Sequence, residues 1–154
     1  MASSIIILKP VKNYSPKETI LAFKKAIIDA GMIFNKIEIR YELDEKFAEA
    51  EGCISFINDD GNIEQFLFTI NNIDEYSEDS FEWLVPGKKL FWAIDIENIG
   101  NYPYEIFKFA IKYFSENSND FLWLDSLKWA YSAKEIEMLS QLPYNSKWLY
   151  EKLV

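Results

Sequence analysis

Two hydrophobic periods follow one another within the first 43 residues, and their succession limits the chain to folds that join a sheet to a helical layer. Ile5 to Lys9 is a β-branched run that predicts a buried opening strand. Ile20, Phe23, Ile27 and Ala30 then recur at helical spacing, while Lys17, Lys24 and Lys25 lie largely off that stripe. From Lys36 to Leu43 the pattern changes to alternation, KIEIRYEL. It places Ile37, Ile39, Tyr41 and Leu43 on one side and Lys36, Glu38, Arg40 and Glu42 on the other, as in a half-exposed strand.

Local chemistry sets the boundaries. Ser15, Pro16, Lys17 and Glu18 form a capping-box pattern with proline at the first helical position, and Gly31 supplies the stop. Cys53 to Ile57 and Ile63 to Ile70 are β-prone runs joined by Asn58, Asp59, Asp60, Gly61 and Asn62, which predicts a hairpin. The stretch between Leu43 and Cys53 fits a loop or a short helical turn. Pro86 and Gly87 mark a turn before Leu90 to Ile96, a strand whose alternation turns Leu90, Trp92, Ile94 and Ile96 to the core and Phe91, Ala93, Asp95 and Glu97 away from it. A mostly buried helix is expected from Pro103, with a short strand at Phe121 to Leu124. A second capping box, Ser132 to Glu135, opens a helix through Leu142, and Asn145 to Leu153 form a terminal turn or helix.

The order β, α, four strands, α, β, α predicts an α+β fold: a mixed or antiparallel sheet of about five to six strands packed with three or four helices. With 154 residues, 49% of them hydrophobic and 17% aromatic, the chain suits a single globular domain over residues 1–154. Lone Cys53 excludes an internal disulfide, and no stretch is apolar for the roughly 20 residues of a membrane span. The apolar run at Ile5 to Leu8 is too short for a signal peptide, so a cytoplasmic location is expected.

Histidine is absent, which removes the commonest general base and the commonest transition-metal ligand. No glycine-rich phosphate loop and no nucleophile-elbow motif occurs among only five glycines. Cys53 has no neighbouring base to activate it and suits a packed position. The residues that could support chemistry are Asp95 and Glu97, two apart on one strand face. They define an alternative, a carboxylate-dependent enzyme using a divalent cation. The expectation from the rest of the chain is a non-catalytic protein with no cofactor and no resident metal.

Charge is distributed unevenly. Glu42 to Glu82 contains 13 acidic residues and one base, Lys46, within a chain of net charge −9. Such a segment favours basic partners and disfavours direct contact with nucleic acid, which requires clustered cations. Within it, Asp74, Glu75, Tyr76, Glu78, Asp79, Phe81, Glu82 and Trp83 mix carboxylates with aromatic anchors, and Asp59 and Asp60 add charge at the hairpin turn. The candidate partner-binding residues are therefore Asp59, Asp60, Asp74, Glu75, Tyr76, Glu78, Asp79, Phe81 and Glu82. Whether Phe81 and Trp83 anchor a partner or fold into the core stays open at this level.

Small size, acidity, aromatic richness, α+β patterning and the lack of a catalytic motif together resemble bacterial immunity proteins, which neutralise secreted polymorphic or contact-dependent growth inhibition toxins. The resemblance implies that the acidic segment docks on a basic toxin domain such as a nuclease, without membrane or direct nucleic-acid contact. An acidic DNA mimic that occupies a DNA-binding protein is the other binding alternative.

Overall fold

The β-branched run at the start of the chain forms β1 (Ile5–Pro10), in which Ile5 to Leu8 are fully buried on both faces. A computed structural model describes residues 4–73, 81–97 and 99–154. After β1 come α1 (Pro16–Asp29), β2 (Ile33–Tyr41), β3 (Phe47–Ile57), β4 (Ile63–Asn71) and β5 (Leu90–Ile96). The chain continues with α2 (Pro103–Phe114), β6 (Phe121–Leu124), β7 (Tyr131–Ser132) and α3 (Ala133–Ser140). The strands form one sheet in the order β2-β3-β4-β5-β1-β6-β7, every adjacent pair antiparallel. The fold is α+β, with seven strands and three helices among the described residues. The extra strand is the two-residue β7, too short to carry a period of its own.

Caps form where the sequence places them. The Ser15 hydroxyl accepts the Glu18 N–H at 3.2 Å, and Gly31 leaves α1 with φ of 84°. At α3 the box closes in both directions, Glu135 N–H to the Ser132 hydroxyl and Ser132 N–H to the Glu135 carboxylate. α3 ends at Ser140, short of Leu142, and the residues after Asn145 form turns. Trp148 in those turns is buried and donates its indole N–H to the Pro103 carbonyl, tying the C-terminal segment to the start of α2.

Two sequence expectations are corrected. Phe47 to Gly52 is neither loop nor helical turn but the first half of β3, which pairs with β2 on one side and β4 on the other. Its Ala, Glu and Gly residues have little strand preference, and two flanking ladders override that. In β5, the register with β1 shifts between Ile7 and Leu8, so that Ala93 is passed over. The side-chain alternation breaks there. Phe91, Ala93, Ile94 and Ile96 enter the main core, whereas Leu90 and Trp92 face the opposite side of the sheet.

The main core lies between the sheet and the helices. Phe23 of α1 is its aromatic centre, with ring centroids 4.8 Å from Phe68 and 5.5 Å from Phe109 of α2. A smaller cluster of Ile6, Leu8, Phe81, Leu90, Trp123 and Ala130 covers the other face, over β5, β1 and β6 among the described residues. Among the described residues no helix is long and apolar enough to cross a membrane.

Candidate protein-docking face

Cross-strand partners share a face of the sheet, so the pairing register shows what the uncovered side presents. Glu38, Glu51, Thr69 and Asp95 are successive partners across β2, β3, β4 and β5, in the row that continues to Ile6 and Trp123. Arg40, Glu49 and Asn71 form the next row toward one end. Toward the other end lie Lys36, Cys53 and Leu67, then Ile33, Ser55 and Gln65, and finally the pair Ile57 and Ile63. The helices pack on the opposite face, and the small cluster stops at β5. The outer face of β2, β3 and β4 is therefore left open among the described residues.

This face combines three kinds of surface. Its middle carries Glu38, Glu49, Glu51, Asp95 and Glu97 against two cations, Lys36 and Arg40. Arg40 bridges Glu49, at 3.1 Å, and Glu51. Its hairpin end is aliphatic, with Ile33, Ile57, Ile63 and Leu67 all exposed. Its border with the covered half is aromatic: the rings of Trp83 and Trp92 stand edge-on to Trp123 at 6.0 and 5.9 Å, and Trp83 is 58% exposed. Aromatic and aliphatic anchors flanked by charge are the composition of a specific protein interface.

Asp95 is the most perturbed carboxylate on this face. Burial pushes its pKa above the usual 3.8, the Trp92 indole N–H donated at 3.1 Å opposes that, and Glu97 and Glu49 add repulsion. Because the folded-state value is the higher one, folded chains retain a proton that unfolded chains have already lost. The associated stability is complete below about pH 3.8 and declines as pH rises through the folded-state value. Asp95→Asn, whose amide oxygen can still accept from Trp92, should therefore gain melting temperature relative to the parent as pH is raised from acid to neutral. Thermal melts of both proteins across that range check this.

The sequence-predicted residues fall in different places. Asp59 and Asp60 are exposed at the β3–β4 turn beside the aliphatic end, where the Asn58 side-chain oxygen accepts the N–H of Asp60 and of Asn62. Asp74, Glu75, Tyr76, Glu78 and Asp79 lie outside the described residues. Phe81 is 6% exposed and packs against Trp123 at 5.5 Å, on the half of the sheet that no helix covers among the described residues. Glu82 is exposed, with its carboxylate accepting the Gly87 N–H at 2.9 Å. Reading the residues singly left Glu38, Glu49, Glu51 and Trp92 out of the candidate set. The alternation in KIEIRYEL carried the signal for Glu38, but placing β3 beside it required the register. Asp95 and Glu97 do share the face. Among the described residues, however, no three carboxylate or thiol groups converge closely enough to hold a metal ion.

A second polar feature is a recess of about 390 Å³ between the β1–α1 turn and the α2–β6 loop. At its floor Lys9 meets Asp120 at 2.7 Å, and Tyr113 donates to the same carboxylate oxygen at 2.7 Å. The Lys9 amine is thus neutralised in place. Tyr14, on the rim, has its hydroxyl pKa pushed up to about 12 by burial, so it offers no base at neutral pH. The Lys9–Asp120–Tyr113 contacts anchor β1 and α2 to the α2–β6 loop.

The class defined by these observations is an α+β protein whose antiparallel sheet has helices on one face and, among the described residues, an open, charged and partly apolar half on the other. No protein-family model, no curated protein and no solved structure matches the chain.

Proposed function

We propose that this chain is a non-catalytic binding protein that neutralises a basic protein partner through the open outer face of its sheet. The supporting observation is the coexistence on one uncovered surface of five carboxylates, an aliphatic end and a tryptophan border. Carboxylates attract and orient a basic surface, while the apolar groups supply the desolvated contact that holds it. A cognate toxin domain is the partner class favoured by the resemblance in composition, and a nuclease suits it because a cleft that binds nucleic acid is positively charged.

The test is the association rate with the protein domain encoded by the adjacent gene, measured at low and high salt. The parent should bind faster at low salt, and Glu51→Lys/Glu97→Lys should slow association by about tenfold or more and flatten the salt dependence. An on-rate indifferent both to salt and to these reversals rejects the reading.

A further inference from the structure

The sheet has two edges of unequal character. β7 is two residues long, whereas β2 runs for nine and pairs only with β3 among the described residues, leaving one full row of backbone groups without a ladder. Long edge strands are ordinarily blunted by proline, bulges or charge, because a free ladder pairs with any strand that fits. β2 has a bulge at Asn35, but from Lys36 to Tyr41 it has neither bulge nor proline of its own, the later irregularity placing its extra residue on β3. Ile39 and Tyr41 are 39% and 63% exposed on the helix side of this edge, where with Leu21 of α1 they line an apolar groove of about 460 Å³.

The charges along this strand are complementary to themselves. In an antiparallel pair of identical strands, the outward-pointing backbone groups meet only when facing residues share parity, which leaves a few registers to compare. Centring on Glu38 sets Glu38 against itself and Lys36 against Arg40. Centring on Arg40 sets Arg40 against itself and Glu38 against Glu42. Centring on Ile37 matches Lys36 with Glu38 but puts Arg40 opposite Phe34. Only the register centred on Ile39 joins Glu38 to Arg40, Lys36 to Glu42 and Ile37 to Tyr41, each twice by symmetry. Within one chain Glu38 faces Glu51, and neither Glu38, Lys36 nor Glu42 has an ion-pair partner among the described residues.

We infer that the partner of the β2 edge is a second copy of this chain, paired antiparallel about Ile39 into one continuous sheet. The two-fold axis stands normal to the sheet, so the helices of both copies lie on one side and the two outer faces join on the other. The apolar grooves meet across the axis, which covers Ile39 and Tyr41. The pairing uses the backbone edge of β2, although Lys36, Glu38 and Arg40 also stand on the outer face assigned above to a basic partner; sedimentation of the chain alone tests the pairing without that partner, so either reading can fail alone.

Sedimentation equilibrium of the full chain over a range of concentrations should show a monomer–dimer equilibrium. Lys36→Glu places like charges opposite each other at both symmetry-related sites and should raise the dimer dissociation constant by about tenfold or more. Lys36→Glu/Glu42→Lys restores opposite signs with reversed polarity and should return it to near the parent value. Both positions are exposed, and melting curves of the variants check that each monomer still folds. A chain that stays monomeric at every concentration overturns the inference. A dimer insensitive to Lys36→Glu, or one that the double exchange does not rescue, also overturns it.

Discussion

Gly52→Ala should lower the melting temperature by about 6 °C or more, because β2 cannot keep its place beside β3 once position 52 carries a side chain. An added Cβ would stand 1.9 Å from the Lys36 carbonyl oxygen and 2.9 Å from the Phe68 ring. The ring can turn aside, but the carbonyl belongs to the backbone of the paired strand. Relief therefore requires β2 to move away, which costs ladder hydrogen bonds and uncovers Phe34 and Ile37 where they pack on the core. Overpacking typically costs roughly 1–3 kcal/mol, and a backbone obstacle places this site at the top of that range or above it. Differential scanning calorimetry gives the size of the effect. Amide exchange localises it, with early loss of protection expected in β2 and little change in β6.

Asp120→Ala should be comparably damaging for an electrostatic reason. Asp120 is 3% exposed and is the counter-ion of Lys9, with Tyr113 donating to the same oxygen. Its removal leaves an ammonium group in the interior with no opposite charge, a loss of about 3–5 kcal/mol, or on the order of 10 °C in a chain of this length. Thermal melts check this, and Lys9→Met/Asp120→Leu should recover most of the loss, since a matched apolar pair removes both charges together. If the double variant were as unstable as the single one, the damage would come from packing or from the Tyr113 hydroxyl left without its acceptor, and not from a stranded charge. Burial raises the Asp120 pKa, with Lys9 and Tyr113 opposing.

The two variants probe different sides of what the sequence discloses. Periodicity and caps were legible because each depends on neighbours a few residues away. Thus the helix from Pro16, the hairpin about Gly61 and the capping box at Ser132 appear where the residues place them. The first half of β3 was not legible, since Phe47 to Gly52 becomes a strand only between two others. The same holds for β5, where passing over Ala93 exchanged the faces of the residues around it. Phe81 looked equally suited to a core or an interface, and the choice rested on whether a helix or this segment covers β5, β1 and β6.

Residue order alone determined the fold class, the lack of histidine chemistry and the acidic middle of the chain, because composition and local spacing suffice for these. Tertiary structure decided which carboxylates share a surface, that Glu38, Glu49, Glu51 and Asp95 assemble on one open face, and that β2 is left at an edge. Each of those depends on strand order and register, which bring together residues as far apart as Glu38 and Asp95. No local pattern encodes such pairings, since they are selected by burial of the whole sheet at once.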